Sequence, residues 1–403
     1  MPATSLEQQT ILTINRGSGT LKAGLYKATD SPTLVASIKV DRAGTPEARI
    51  KIADASKKTL LDSSVQEAGA NSDLSAVLKW LKNSNYISHL AGIGHRLVHG
   101  GPHYTESQRI TPEVLAELEK IAPLDPDHTP QAIQNIRFFS DRLPHTPQIG
   151  CFDTAFHATL PKVARTYALP RKFYDEGLRR YGFHGLSCEY ILQQLRATDP
   201  ALAVGRLIIA HLGNGASMTA VNNGKSVDTS MGFTPLEGLV MGTRSGDIDP
   251  AAVIYLDQHD RLSPRDIDAL LNKQSGLLGV SGTSSDMRDL LEKEARDEHA
   301  AEAVALFCYR AKKYVGAYAA ALGGLDALIF AGGIGENAPP VRERVCAGLD
   351  FLGLEIDPAA NRSNAPVISS ARTHVKIKVI KTDEDIVIAQ HVLAIVGKPV
   401  SRG

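Results

Sequence analysis

The stretch richest in candidate chemistry is PLEGLVMGTRSGDIDP, residues 235–250. It places Arg244 among glycine, serine and threonine, with two aspartates close behind. A surface ion pair needs no unusual backbone, so the glycines on both sides of Arg244 argue against that ordinary explanation. A guanidinium held on such a loop is well suited to bidentate binding of a phosphate or a carboxylate. The spacing therefore predicts an oxyanion site.

Three further segments run from an apolar, strand-like stretch into paired glycines: NRGSGTLK (15–22), HLGNGAS (211–217) and AGGIGEN (331–337). Glycine pairs let backbone N–H groups turn toward a phosphate without a Cβ in the way. One such turn is common in proteins of every kind, whereas three in one chain favour phosphate binding. None matches a Walker A sequence or a dinucleotide fingerprint.

Cations and carboxylates accompany these turns. GHRLVHGG places Arg96 between two histidines, and YGFHGLS places His184 beside glycine, although each histidine could equally be a hydrogen-bonded core residue. FDTAFH sets Asp153 at the end of a predicted strand, and VIKTDEDIVIAQ sets Glu384 after another. A carboxylate at a strand end suits a magnesium ligand or a catalytic base, while an acidic first helical turn also explains the second motif. With two arginines and no evident nucleophile, the set predicts phosphoryl transfer.

The order of the elements predicts two related α/β halves. A strand, a Gly-x-Gly turn and a second strand occur from about residue 10 and again from about residue 206. Apolar spacing and capping residues predict helices over 72–84, 111–122, 187–197, 263–274 and 298–322, with another from about residue 340.

Composition limits the partners and the location. The 44 basic and 44 acidic residues leave no dominant basic field, so neither a nucleic acid nor a membrane surface is an expected partner. The four cysteines are scattered and form no CxxC pair, which favours thiols in a reducing compartment. The apolar window at 314–330 is interrupted by glycines and an aspartate and predicts a helix, a turn and a strand. A cytoplasmic protein without a signal peptide is expected.

In this order, the motifs resemble the acetokinase family of the acetate and sugar kinase–Hsp70–actin superfamily. The resemblance runs nearly end to end and is most specific over residues 228–250. It implies an α/β, two-domain duplicated ribonuclease-H-like fold, the actin-like ATPase fold, with the active site in a cleft between the domains. It also implies an N-terminal domain of residues 1–154 with 385–403, and a nucleotide-binding domain of residues 155–384.

The resemblance implies reversible, direct in-line transfer of the γ-phosphoryl group of ATP to acetate, giving ADP and acetyl phosphate. Mg²⁺ is the implied metal, with Mn²⁺ as the alternative, and a homodimer acting in acetyl-CoA biosynthesis is expected. A carboxylate is already ionised at neutral pH, so no strong general base is required. Two alternatives stay open: a propionate or butyrate kinase of the same family, and an ATPase switch of the actin or Hsp70 kind.

Site roles also follow from the resemblance. Arg96 and Arg244, from separate halves, are expected to hold acetate and the transferring phosphoryl group. His184 and Arg244 are expected to stabilise the transition state. Asp153 is expected to be catalytic, either by orienting the acceptor carboxylate and Arg96 or by assisting the metal. The remaining assignments are Val98, Phe183 and Pro235 for the acetate methyl group; Asn15 and Glu384 for the metal; and Ser18, Lys22, His211, Gly213, Asn214, Gly215, Asp286, Met287, Arg288, Gly333, Ile334, Gly335 and Asn337 for ATP.

The chain departs from the family pattern in places. Gly19 and Thr20 stand where the family has serines, and Met287 replaces a phenylalanine beside the adenine. APLDPDHTP (122–130) replaces the shorter APLHNP, which leaves open whether His128 takes the role of the family histidine.

Overall fold

The computed structural model describes residues 9–17, 19–43, 45–65, 69 and 71–397. The chain divides into two compact units, one of Met1–Ala155 with Asp383–Gly403 and one of Phe156–Thr382. Each unit is built on one mixed sheet with helices against it.

The first unit contains an eight-stranded sheet in the order β5-β4-β3-β2-β1-β6-β8-β7. Strands β1 to β5 form an antiparallel meander, whereas β6 and β8 run parallel to β1. The strands are β1 (Thr10–Arg16), β2 (Thr20–Lys27), β3 (Thr33–Asp41), β4 (Arg49–Asp54), β5 (Thr59–Ser64), β6 (Leu90–Leu97), β7 (Gln108–Arg109) and β8 (Gln148–Phe152). The helices are α1 (Ser72–Asn83), α2 (Pro112–Ile121), α3 (Thr129–Arg142) and, from the end of the chain, α16 (Glu384–Val396).

Helix α16 packs against β1 and β6. Close approach is possible because β6 carries two glycines at the contact. A Cβ added at Gly94 would lie 2.4 Å from Cγ2 of Ile388 and 2.7 Å from Cγ2 of Val392. The missing side chain thus places the first residue of α16, Glu384, near the ends of β1 and β6.

The second unit contains a five-stranded sheet in the order β11-β10-β9-β12-β13. Its strands are β9 (Arg206–Leu212), β10 (Ala216–Asn222), β11 (Lys225–Thr229), β12 (Ala327–Ala331) and β13 (Lys376–Val379). Its helices are α4 (Lys162–Arg165), α5 (Arg171–Asp175), α6 (Gly185–Thr198), α7 (Pro200–Ala203), α8 (Pro250–His259), α9 (Pro264–Lys273), α10 (Gly276–Ser281), α11 (Met287–Lys293), α12 (Glu298–Leu322), α13 (Gly332–Asn337), α14 (Pro339–Cys346) and α15 (Pro358–Arg362).

The two sheets share one plan, and the predicted duplication is confirmed. In each, three antiparallel strands are followed by two strands parallel to the first: β3-β2-β1-β6-β8 in one and β11-β10-β9-β12-β13 in the other. The first strands begin at Thr10 and Arg206, where the repeated pattern was found in the sequence.

The predicted helices are found within a few residues of their expected limits, but AGGIGEN differs from expectation. The sequence predicts a glycine turn there, and the structure has helix α13 from Gly332 onward. Gly332 reverses the chain with a φ of +74° and donates its N–H to Oε1 of Glu336 at 3.1 Å. One left-handed glycine therefore suffices for the turn, and the later glycines are free to be helical.

No helix within the described ranges is both long enough and apolar enough to cross a membrane.

Candidate functional site

In the first unit, Arg96 and Asp153 meet at the ends of two parallel strands. Arg96 is the penultimate residue of β6, and Asp153 directly follows β8 and donates its N–H to the carbonyl of Leu97 at 2.9 Å. The guanidinium donates from Nη2 to Oδ2 of Asp153 at 2.6 Å and from Nε to both carboxylate oxygens at 3.2 Å. The register between β6 and β8 thus brings the side chains of Arg96 and Asp153 together.

One edge of the Arg96 guanidinium stays available for an anion. Its Nε–Nη2 edge faces Asp153, and Nη1 donates one bond to Oδ1 of Asn15 at 3.2 Å. A guanidinium has five N–H donors, so one on each terminal nitrogen remains beyond these bonds to described residues. These two donors form the fork that binds a carboxylate or a phosphate bidentately.

Asp153 is fully buried, and burial raises the pKa of its carboxyl group while the Arg96 guanidinium lowers it. The pKa of Arg96 is raised, because Asp153 and Glu384 together outweigh its own burial. Arg96 therefore keeps its proton at every physiological pH, and Asp153 serves as its counter-ion rather than as a mobile base.

Asn15 and Glu384, the predicted metal ligands, lie together. Asn15, near the end of β1, donates from Nδ2 to Oε2 of Glu384 at 3.1 Å. Glu384 also lies 3.7 Å from Nε of Arg96, and its side chain is 14% exposed. The described residues contain no cluster of three or more histidine, cysteine or acidic ligands. One carboxylate and one amide oxygen fit Mg²⁺, which commonly takes one or two protein carboxylates and completes its shell with water and substrate phosphates.

A cavity of about 150 Å³ lies beside Arg96 in the same unit. His128 lines it and shares a 2.8 Å hydrogen bond between Nδ1 and Oδ1 of Asp125, which orients the ring. This location is compatible with the role left open for His128, which stays a prediction. The lining residues are Ile14, Arg16, Gly17, Ala43, His95, Arg96, Val98, Asp127, His128, Gln131, Ala132 and Asn135.

In the second unit, His184 and Arg244 converge on the glycine turn after β9. A Cβ added at Gly215 would lie 3.5 Å from Nε2 of His184 and 3.7 Å from Nη1 of Arg244. Arg244 also donates from Nη1 to the carbonyl oxygen of Pro235 at 3.2 Å. The His184 imidazole and the Arg244 guanidinium thus both lie close to Gly215, a position of the turn that has no side chain.

The His184 ring is held from two sides. Its Nδ1 lies 2.9 Å from Oγ of Ser217, and its face stacks on His211 with ring centroids 4.3 Å apart. His211 in turn shares a 2.8 Å hydrogen bond with Ser187. The backbone of His184 has a φ of 57°, which is uncommon for a non-glycine residue and typical of functional positions. His211 thus contacts His184 in the described structure, and its assignment to ATP stays a prediction.

The predicted methyl-pocket residues are divided between the units. Val98 belongs to the first unit, whereas Phe183 and Pro235 belong to the second. Phe183 is 1% exposed, and its carbonyl accepts a hydrogen bond from the buried His157 at 2.9 Å. Burial lowers the pKa of His157 to about 4, so this ring is a neutral structural support.

Most of the predicted ATP-binding residues line one cavity of about 540 Å³ in the second unit. Asp286 caps α11 and pairs with the exposed Arg288 through a 2.6 Å contact. Ser285 and Ala338 were not predicted. The lining residues are Gly213, Asn214, Ser285, Asp286, Met287, Arg288, Gly333, Ile334, Asn337 and Ala338.

Gly335 and Lys22, two other predicted ATP-binding residues, do not line that cavity. Gly335 lies inside α13, and its carbonyl accepts from the buried Arg342 at 2.8 Å, so it supports the cavity wall without lining it. Lys22 belongs to the first unit, opposite Asn15 across the β1–β2 ladder. Burial raises the pKa of Asp385 to about 7, and the charge of Lys22 partly opposes that rise. Ser18 lies outside the described residues.

The family model described as the Acetokinase family matches residues 10–390 of the chain. The chain belongs to the acetokinase family.

Acetokinase relatives match most of the chain. A protein named acetate kinase from Rhodopseudomonas palustris is 45% identical over 388 residues, covering 95% of this chain and 97% of its own. One of the same name from Methylocella silvestris is 49% identical over 326 residues, covering 81% of this chain and 80% of its own. The predicted family membership is confirmed, and the chain is a phosphotransferase enzyme of the acetate kinase type.

Solved acetokinase structures share the fold. A propionate kinase from Francisella tularensis superposes with a TM-score of 0.89 at 36% identity, over 95% of this chain and 98% of its own. An acetate kinase from Porphyromonas gingivalis superposes with a TM-score of 0.86 at 38% identity, over 96% of this chain and 100% of its own. The predicted α/β two-domain actin-like fold is confirmed.

Proposed function

We propose that the chain catalyses reversible transfer of the γ-phosphoryl group of ATP to acetate, which gives acetyl phosphate and ADP. The convergence of His184 and Arg244 on Gly215 carries this proposal. An oxyanion placed at that turn would meet a guanidinium, an imidazole and unobstructed backbone, which is the environment that phosphoryl transfer requires.

The donor side of the reaction is assigned to the second unit. The 540 Å³ cavity is large enough for a nucleoside, and the turn at Gly213 and Asn214 forms part of its lining. We propose that adenosine lies against α11 and α13 and that its phosphates extend along this turn. His184 and Arg244 then stabilise charge on the equatorial oxygens of the moving phosphoryl group.

The acceptor side is assigned to Arg96. Its available fork holds the acetate carboxylate while Asp153 fixes the opposite edge of the guanidinium. An acetate oxygen forms the new bond to the γ-phosphorus as the bond from phosphorus to the β–γ bridging oxygen breaks, and ADP leaves with that electron pair. No proton has to be removed from the nucleophile, because acetate is ionised at neutral pH.

Asn15 and Glu384 are proposed to hold the metal ion. When bound, Mg²⁺ neutralises phosphate charge and Mn²⁺ is an alternative occupant. Arg96 links these ligands to the acceptor site through its 3.2 Å bond to Asn15.

A homodimer is proposed from the surface of α8. This helix buries none of its residues, and its Ile254 and Tyr255 are each 56% exposed. Exposed apolar side chains on one helix are typical of a protein interface. Sedimentation of the native chain is expected to give twice the mass of one chain, and a monomeric mass would contradict this.

A cytoplasmic location is proposed as well. All four cysteines, Cys151, Cys188, Cys308 and Cys346, are buried and free, as suits a reducing compartment. Neither a nucleic acid nor a membrane is a proposed partner.

The test is the formation of an acyl phosphate, trapped with hydroxylamine as a hydroxamate. Initial rates with acetate, propionate and butyrate, in both directions, separate acetate from the longer acids. The proposal requires acetate-dependent hydroxamate and the highest kcat/KM with acetate. A higher kcat/KM with propionate would favour the alternative that the Francisella neighbour represents. ATP hydrolysis indifferent to every acid would favour an ATPase switch.

Replacing Gly242 by alanine is expected to weaken ATP binding. The added Cβ would lie 1.9 Å from Oδ1 of Asn214, so the Asn214 side chain must leave its position in the cavity lining. We expect KM for ATP to rise about tenfold, the effect of about 1.4 kcal/mol of lost binding, with KM for acetate little changed.

Gly316→Ala is the matched control for that prediction. Gly316 lies inside α12 with open space around its Cβ position, so alanine there should raise the free energy of unfolding by about 0.5–1 kcal/mol without changing KM. Equal KM values for ATP in the two variants would contradict the role given to Asn214.

A further inference from the structure

The loop of residues 229–247 is tied to the segment of residues 180–184 by a network of three side chains: Tyr167, Arg180 and Glu237. The sequence analysis assigned none of them a role. We call this set the loop clamp. It lies wholly within the second unit.

Arg180 is the centre of the loop clamp. Its Nη1 lies 3.0 Å from each of three successive carbonyl oxygens, those of residues 229, 230 and 231. Its Nη2 donates to Oε1 of Glu237. The side chain is 16% exposed, so its charge is largely removed from water and depends on this carboxylate.

Glu237 and Tyr167 close the network from the other side. The Tyr167 hydroxyl donates to Oε2 of Glu237 and accepts the N–H of Phe233 at 2.8 Å. Space here is fully used: a Cβ added at Gly232 would lie 1.6 Å from Oε2 of Glu237 and 2.2 Å from the Tyr167 hydroxyl. The loop therefore has one tightly packed arrangement at this point.

Both segments joined by the clamp carry proposed site residues. Phe183 and His184 come three and four residues after Arg180, and Pro235 and Arg244 belong to the loop. The loop is also closed at its base, where Gly238 and Asp247 bond each other through both backbone and side chain at 2.8–2.9 Å. Backbone N–H groups of Tyr181 and Gly182 also donate to the carbonyl of Gly232, at 3.0 and 3.4 Å. The loop clamp adds side-chain bonds to this connection between Phe183 and Pro235.

We infer that Tyr167, Arg180 and Glu237 are positioning residues for the acceptor side of the site. They hold Phe183, Pro235 and Arg244 in register with His184. This inference rests on the proposed function. None of the residues that line the nucleotide cavity belongs to the loop of residues 229–247. Gly242 of the loop contacts Asn214 of that cavity, but its backbone is held there by its own 2.9 Å hydrogen bonds with Asn214 and Leu278. Loss of the loop clamp should therefore act on the acceptor far more than on ATP.

The experiment compares steady-state constants for both substrates in Glu237→Ala, Glu237→Gln and Tyr167→Phe. A displacement of about 1 Å at a reacting group costs about 10²-fold in rate, so Glu237→Ala should lower kcat/KM for acetate by about that factor. KM for ATP should stay within about twofold. Glu237→Gln retains a hydrogen-bonding side chain and should recover part of the loss, and Tyr167→Phe should lose least.

Glu355→Ala is the control, because it removes a glutamate from an exposed ion pair with Arg372 in the same unit. Thermal unfolding midpoints show which variants fold. If Glu237→Ala does not fold, the constants of Tyr167→Phe still test the inference. A rise in KM for ATP equal to the loss with acetate, or clamp variants that match Glu355→Ala, would overturn the inference alone. A wild-type chain that forms no hydroxamate with acetate would overturn the proposed function and this inference with it.

Discussion

Arg244→Ala is expected to lower kcat by about 10³–10⁵-fold, the range measured for arginines that neutralise a transferring phosphoryl group. In the structure, Nη1 of Arg244 lies at the Gly215 turn beside His184. Charge that develops on the phosphoryl oxygens would lose its nearest guanidinium. Because the interaction is strongest in the transition state, kcat should fall much more than KM for ATP rises. Stopped assays of hydroxamate formation give both constants.

Arg288→Ala is the comparison for Arg244. Arg288 lines the nucleotide cavity, but its side chain is 82% exposed and pairs only with nearby acidic groups. Its loss should change KM for ATP by a small factor and leave kcat near the wild-type value. Similar kcat losses in the two variants would mean that Arg244 has no special relation to the phosphoryl group.

Arg96→Ala is expected to affect both activity and stability. Activity falls because the acetate carboxylate loses the two terminal N–H donors of Arg96. We expect kcat/KM for acetate to drop by about 10³-fold, as when an oxyanion donor is removed. Stability falls because Asp153, which is fully buried, loses its counter-ion. Removing one partner of a buried pair typically costs about 3–5 kcal/mol of unfolding free energy.

The stability loss in Arg96→Ala should depend on pH with a defined sign. Burial already raises the pKa of Asp153, and without Arg96 nothing of comparable strength opposes that rise. A carboxyl group whose folded pKa exceeds its unfolded value stabilises the fold at low pH and loses that contribution as pH rises. The gap in unfolding free energy between variant and wild type should therefore narrow on acidification.

Arg96→Ala/Asp153→Ala controls for that interpretation. Removing the carboxylate as well should restore much of the stability, because no buried charge remains, while activity stays low. A double variant as unstable as Arg96→Ala, or a gap that widens on acidification, would contradict the role given to Asp153. Chemical denaturation at mildly acidic and neutral pH measures both.

Much of the fold could be predicted because its signals are local. The sequence NNG at 222–224 is typical of a hairpin turn, and the β10–β11 hairpin has Asn223 and Gly224 at positive φ. The long helix α12 has the limits that its apolar spacing predicted. Strand ends indicated that Arg96 and Asp153 lie together, because the register between the parallel strands β6 and β8 brings their ends to the same edge of the sheet.

Other parts of the site have no local signal. Tyr167 lies 70 residues from Glu237, and its relevance appears only when the loop folds back on it. The helical state of Gly333–Asn337 depends on one left-handed residue, Gly332, and on the side chain of Glu336. His211 was assigned to ATP from its place in the motif, whereas stacking on His184 is a three-dimensional fact. Sequence motifs thus predicted candidate reacting groups, whereas the side chains that contact them are identified only by the fold.

We propose that Arg96 and Arg244 serve the same transition state, Arg96 by holding the acetate carboxylate and Arg244 by neutralising the transferring phosphoryl group. The most direct measurement is a double-mutant cycle on kcat with Arg96→Lys, Arg244→Lys and the double variant. Each single change should cost about 10²-fold, since lysine keeps the charge but cannot form the fork. If both arginines serve the same transition state, the double variant should stay within about tenfold of the slower single variant. Losses that multiply would mean that the two arginines act independently, and the account would be wrong.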